Sequence, residues 1–174
     1  MHPAKIKQCI SGDRKVQKEL YDMYKHLLFV LCQRYFSDRD DAQDVLQEGF
    51  IKIFRDLHQF DESKGQLVHW MKKVMVNTCL EKIRKSKVSM YSIDDNISNI
   101  GYESDILSDL RLHDIINWIQ KLPFGYRTVF NLYAIEGYSH ADIASRLGIT
   151  ESTSKTQYMK ARNMLRGFLE VALK

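Results

Sequence analysis

Thr153, Lys155, Thr156, Met159, Lys160 and Asn163 lie at spacings that place them on one side of a helix near the C-terminal end of this sequence, with Arg162 and Arg166 at its edges. Lysine and hydroxyl side chains in that arrangement suit base edges in a DNA major groove, and flanking arginines suit phosphates. A second stripe, Trp70, Lys73, Asn77, Glu81 and Arg84, recurs at steps of three and four. Asn77 offers both a donor and an acceptor to a base edge, Trp70 offers a flat surface for stacking or wedging, and Lys64, Lys72 and Lys73 offer phosphate contacts. Trp70 would serve equally well as a core residue.

Catalytic and metal chemistry fits poorly. The six histidines, His2, His26, His58, His69, His113 and His140, do not build the paired Glu-x-x-His sets of a carboxylate-bridged metal enzyme. No phosphate-binding glycine loop or nucleophile-base motif is present, so neither an enzyme, a metal nor a cofactor is expected. Cys9, Cys32 and Cys79 are far apart and sit in apolar-periodic stretches, which suits reduced, buried thiols.

Helices must position these stripes. Proline occurs only at Pro3 and Pro123, and no run alternates apolar with polar residues in strand fashion. After Asp13, which can cap a helix, Val16, Leu20, Met23, Leu27, Leu31 and Tyr35 predict one long amphipathic helix. Ser37-Asp38 restarts the pattern with Ala42, Val45, Leu46, Gly49, Phe50, Ile53, Phe54 and Leu57 on one face. Asp38, Asp40, Asp41 and Asp44 crowd its first turns, where the helix dipole favours negative charge. His58 to Gly65 reads as a turn region, followed by a helix from about Gln66 to Lys85 with Val76, Cys79, Leu80 and Ile83 inward. Residues 86–108 lose periodicity and read as a linker, and from Asp109 four helical segments are expected, roughly 109–121, 124–135, 139–146 and 150–171.

The last two segments carry the clearest local signal. In Gly137 to Thr150, Ser139 caps a short helix and Asp142 lies three residues on to answer it; Ile143, Ala144 and Leu147 give that helix an apolar face. Gly148 supplies the left-handed residue that ends it, and Thr150 caps the next helix, on which Ser154, Tyr158, Ala161, Leu165 and Phe168 point inward. These are the parts of a helix-turn-helix.

Composition agrees. The chain has 174 residues, 44% hydrophobic and 28% charged, with no apolar run of the roughly 18 residues that a membrane span needs and no secretory signal pattern at Met1 to Lys5, so a cytoplasmic protein is expected. The formal charge of +4 is unevenly spread. Lys and Arg number 17 against 12 Asp and Glu over residues 1–87, 1 against 6 over 88–114, and 8 against 4 over 115–174. Within residues 64–87, seven basic residues face the single acid Glu81, whereas Asp38 to Glu48 is acidic. This pattern suits a polyanion on one surface and a basic partner on another.

Three stretches, Leu122 to Phe130, Glu136 to Ala144 and Thr153 to Arg162, closely resemble the promoter-binding fourth domain of extracytoplasmic-function sigma factors. Asp41 to Lys52, Trp70-Met71 and Val76 to Lys85 resemble the second domain of that family. The resemblance spans nearly the whole chain in the family's domain order. It implies an all-α fold of two small helical domains, 1–87 and 109–174, joined by an acidic linker at 88–108 that stands in place of the family's third domain. The C-terminal domain would be a four-helix helix-turn-helix unit.

The resemblance also implies a non-enzymatic sigma factor that binds core RNA polymerase, recognises the minus-thirty-five and minus-ten promoter elements and promotes DNA melting. Asp44, Gln47, Glu48, Ile51 and Lys52 would meet the clamp helices of the largest subunit, with the flap of the second-largest subunit as a further contact. Val45, Leu46 and Phe50 would serve that docking or fill the core. Lys64, Trp70, Lys73, Asn77 and Arg84 would engage the minus-ten element, and Thr153, Lys155, Thr156, Met159, Lys160 and Arg162 the upstream element. The acidic segment Val88 to Asp114 would thread toward the RNA exit path or act as a tether. An anti-sigma factor is a candidate partner, and no membrane insertion is implied. Three residues depart from the family's common pattern: Ser154 for a small apolar residue, Met159 for an aromatic or His, and Gly49 for a larger residue. The competing reading is an autonomous helix-turn-helix regulator, which leaves the Asp41 to Lys85 pattern unexplained.

Overall fold

The computed structural model of the chain describes residues 2–90 and 110–172, which hold helices and turns and no strand. In chain order the helices are α1 (Pro3–Ile10), α2 (Arg14–Tyr35), α3 (Arg39–Asp56), α4 (Leu67–Met90), α5 (Leu110–Gln120), α6 (Phe124–Phe130), α7 (His140–Leu147) and α8 (Glu151–Ala172). They form two compact units, one of Met1–Gln33 with Asp38–Ile83 and one of Arg34–Ser37 with Arg84–Lys174. From residue 91 on, the expected acidic linker lies outside the described residues; its first three residues, 88–90, continue α4. No helix among the described residues is long and apolar enough to cross a membrane.

The starts of α2 and α3 follow from their caps. Asp13 accepts from the backbone N–H groups of Lys15 and Val16, and Asp38 accepts from that of Asp41, so each aspartate satisfies donors that the first helical turn leaves open. On α3 the expected apolar face is the observed one. Ala42, Val45, Leu46, Gly49, Phe50 and Ile53 are buried, and Phe54 is half-buried. Val45, Leu46 and Phe50 are therefore core residues in the free chain. Gly49 has a packing reason: a Cβ there would run into Sδ and Cε of the fully buried Met75, so the absent side chain is the space that Met75 of α4 occupies.

Two expectations need correcting. Met23 and Leu27 of α2 are 58% and 43% exposed, because the buried stripe runs through Val16, Leu20, Leu28, Leu31, Cys32 and Tyr35. Met23 and Leu27 lie at the edge of that buried face. Secondly, residues 3–10 form α1, for which no helix was expected; it buries Ile6 and Cys9 and leaves Ile10 45% exposed.

In the second unit, Arg127 of α6 is buried and donates through Nη1 to the carbonyl of Gln120 at 2.9 Å, tying α6 to the C-terminal end of α5, where the helix dipole favours a cation. Burial pulls its guanidinium down to about 10, leaving it charged at neutral pH. The chain then passes through a wide π-turn over Asn131–Ile135, closed by the bond from Glu136 N–H to the Asn131 carbonyl at 3.0 Å.

Candidate nucleic-acid interface

The turn between α7 and α8 is built as its residues predict. Ser139 caps α7, accepting from the Asp142 N–H at 3.1 Å, and donates its hydroxyl to the Asp142 carboxylate at 2.6 Å. Gly148 takes the left-handed conformation at φ +66, and the Thr150 hydroxyl accepts from the Thr153 N–H at 3.1 Å to open α8. Ser154 and Ala161 are fully buried and Tyr158, Leu165 and Phe168 half-buried, so the inward face of α8 is the expected one.

The outward face presents Lys155, Thr156, Met159, Lys160 and Arg162, all exposed, with Met159 at 54%. Lys155 pairs with Glu151 at 2.6 Å one turn back, and Lys160 sits over the Tyr126 ring at 5.8 Å. Both contacts are at the surface, where solvent screening leaves them weak, and they release easily to a phosphate or base. Thr153 stands apart from this set. It is half-buried and its hydroxyl is 2.7 Å from that of Thr150, which draws it into the cap.

One group that spacing alone did not flag joins the two helices. His140, at the start of α7, shares a hydrogen bond of 2.9 Å through Nδ1 with the buried Ser154 hydroxyl and stacks on Tyr133 at 4.1 Å with an interplanar angle of 11°. The serine at position 154 is thereby explained, since a small apolar residue there would leave the imidazole without this partner.

On α4, Lys73, Asn77 and Arg84 are exposed. Trp70 is half-buried with its ring 6.1 Å from that of Phe60 at 58°, part wall and part surface. Lys64 lies in the short turn Glu62–Lys64 and is highly exposed, 3.4 Å from the Asp61 carboxylate. Phe60 to Gly65 thus forms an exposed loop leading onto α4, beside a helix that is basic along its outer side.

The outward side of α3 carries Asp44, Gln47 and Ile51, all exposed; Ile51, at 66%, is the most exposed of the large hydrophobic residues among those described. Lys52 turns instead toward α4, with its ammonium 2.7 Å from Glu81 and 3.0 Å from Glu48. Burial depresses this ammonium, but the bonds to Glu81 and Glu48 outweigh that and hold it above its ordinary value. Lys82 bridges back in the same way to Asp41 at 2.7 Å and Asp44 at 3.6 Å. Two lysines therefore lash α3 to α4, and neither pairing could be read from residues 29 and 41 positions apart in sequence.

Comparison with known proteins gives two family matches, to "Sigma-70 region 2" over residues 20–88 and to "Sigma-70, region 4" over residues 112–165. The chain is 30% identical to the ECF RNA polymerase sigma factor SigW of Bacillus subtilis, the match covering 93% of each chain. It is 26% identical to the ECF RNA polymerase sigma-E factor of Haemophilus influenzae over 93% of this chain and 92% of the other. Its fold resembles that of the sigma factor RpoE from Bartonella quintana, solved with the anti-sigma factor NepR, with a TM-score of 0.57 and 22% identity over 88% of this chain and 96% of the other.

Proposed function

The chain belongs to the extracytoplasmic-function group of the sigma-70 family and is a promoter-recognising sigma factor for transcription initiation; from that premise we propose how its helices divide the work. α3 docks on the clamp helices of the largest subunit of core RNA polymerase through Ile51, with Asp44, Gln47 and Glu48 setting orientation and Lys52 bracing the helix from its inner edge. The second unit meets the flap of the second-largest subunit. The Phe60 to Gly65 loop and the outer side of α4 engage the minus-ten element: Trp70 and Asn77 meet an extruded base, while Lys64, Lys73 and Arg84 hold the strand. α8 enters the major groove of the upstream element with Lys155, Thr156, Met159 and Lys160 at base edges and Arg162 at a phosphate, Thr153 contributing through the cap it shares with Thr150. The protein acts in the cytoplasm by binding alone, without a catalytic residue, cofactor or metal, and an anti-sigma factor is a candidate partner, as the neighbour solved with NepR supports.

The observation that carries this reading is the capped α7–α8 turn presenting an outward row of cations, hydroxyl and thioether on α8. Lys155→Ala and Lys160→Ala should each weaken binding to the matched upstream element by about 1–3 kcal/mol, and scrambled sequence much less, whereas Arg162→Ala should weaken both alike. Fluorescence anisotropy of holoenzyme on matched and scrambled duplexes distinguishes these outcomes. Equal losses on both duplexes for all three variants would reduce the proposed base contacts to phosphate contacts.

A further inference from the structure

The N-terminal helix carries none of the residues assigned above, yet it is tied down at several points. α1 has eight residues, fewer than the roughly 12–15 that a helix needs to persist alone in water, so its packing must hold it. Lys5 pairs with Glu19 of α2, and the Gln17 side-chain amide of α2 donates to the Cys9 carbonyl at 3.2 Å. Ile6 and Cys9 are buried. α1 also packs on the short turn Leu57–Gln59, where α3 ends and the exposed loop begins.

That turn fixes the start of the loop. Leu57 is fully buried, and its carbonyl accepts from the Phe60 N–H at 3.1 Å; Phe60 then meets Trp70. Beyond Phe60 the loop carries local ties, from the Ser63 backbone and hydroxyl and from Lys64 to Asp61. The loop is therefore held at its entry by the turn under α1 and at its exit by the start of α4.

We propose that α1 is a positioning element for promoter opening: it clamps the Leu57–Gln59 turn so that Phe60, Trp70 and the following loop are preset for an extruded base. The proposal rests on the reading of that loop as the minus-ten contact. α1 itself reaches no DNA in this scheme. Loosening it leaves docking and upstream recognition in place and makes the loop pay an ordering cost during opening.

The test uses full-length holoenzyme and a promoter carrying 2-aminopurine in the minus-ten element. Ile6→Ala should slow opening about tenfold, while co-elution with core polymerase changes less than about twofold and transcription from a pre-melted bubble is retained. Ile6→Val should restore most of the rate. Gln17→Ala removes a bond to α1 without opening a cavity and should slow opening about two- to threefold, which keeps the test decisive where Ile6→Ala fails to fold. Opening at the parental rate in Gln17→Ala and in a folded Ile6→Ala overturns the proposal, as does equal loss of core binding and bubble transcription, the pattern of general destabilisation. A parent chain that opens no promoter with core polymerase contradicts the minus-ten reading itself.

Discussion

Ile51→Asp is expected to leave the chain folded and to remove it from core polymerase at micromolar concentration. Ile51 is 66% exposed on α3, so the free chain loses little by the change, within about 0.5 kcal/mol for a surface position. In the docked state the balance differs. Burying an isoleucine side chain contributes about 1.5–3 kcal/mol. An aspartate in its place forfeits that gain and brings a carboxylate into an apolar contact, adding an uncompensated desolvation cost. Together these amount to about 3–5 kcal/mol, a loss of about a hundredfold to several thousandfold in affinity. Thermal unfolding and gel filtration with core enzyme read the two halves of this expectation. Undiminished co-elution would move the docking surface away from the outer side of α3.

Asn77→Ala should separate recruitment from melting. Asn77 is exposed one helical turn from Lys73 and two turns from Arg84, on the helix that follows the Phe60 to Gly65 loop. Unstacking a base costs a few kcal/mol, and a side-chain amide that receives the extruded base returns part of it. Its loss should reduce open complexes on linear duplex by about tenfold to a hundredfold, equivalent to about 1.4–2.8 kcal/mol, with core affinity and upstream binding unchanged. Permanganate reactivity of minus-ten thymines measures this directly. A pre-melted bubble should restore much of the run-off product, because the step that Asn77 supports has then been taken. A variant that opens linear promoter as well as the parent makes Asn77 a structural helix residue.

The parts of this molecule that were legible from sequence are those fixed by neighbouring residues. Asp13, Asp38, Ser139, Thr150 and Gly148 stand where their local backbone bonds require them, and the face of α3 from Ala42 to Ile53 was read correctly because every third or fourth residue there is apolar. What escaped depends on partners distant in sequence. α1 is short, buries only Ile6 and Cys9, and is held by its packing on α2 and the Leu57–Gln59 turn. Met23 and Leu27 fit a spacing of four as well as the buried residues do, and only the packing of the other helices decides which edge of α2 stays exposed. The same holds at the interface. Exposure of Lys155, Met159 and Lys160 followed from helical phase, whereas the inward pull on Lys52 by Glu81 and the bond between His140 and Ser154 required the fold.

Run-off transcription with purified core polymerase over a genomic fragment library tests the central claim most directly. Adding this chain should produce discrete transcripts that core enzyme alone does not make, and their upstream sequences should share two elements at a fixed separation, one for α8 and one for the loop and outer side of α4. A folded chain that yields no transcript above core enzyme, yet binds particular duplex fragments without polymerase, would contradict the account and identify an autonomous helix-turn-helix regulator.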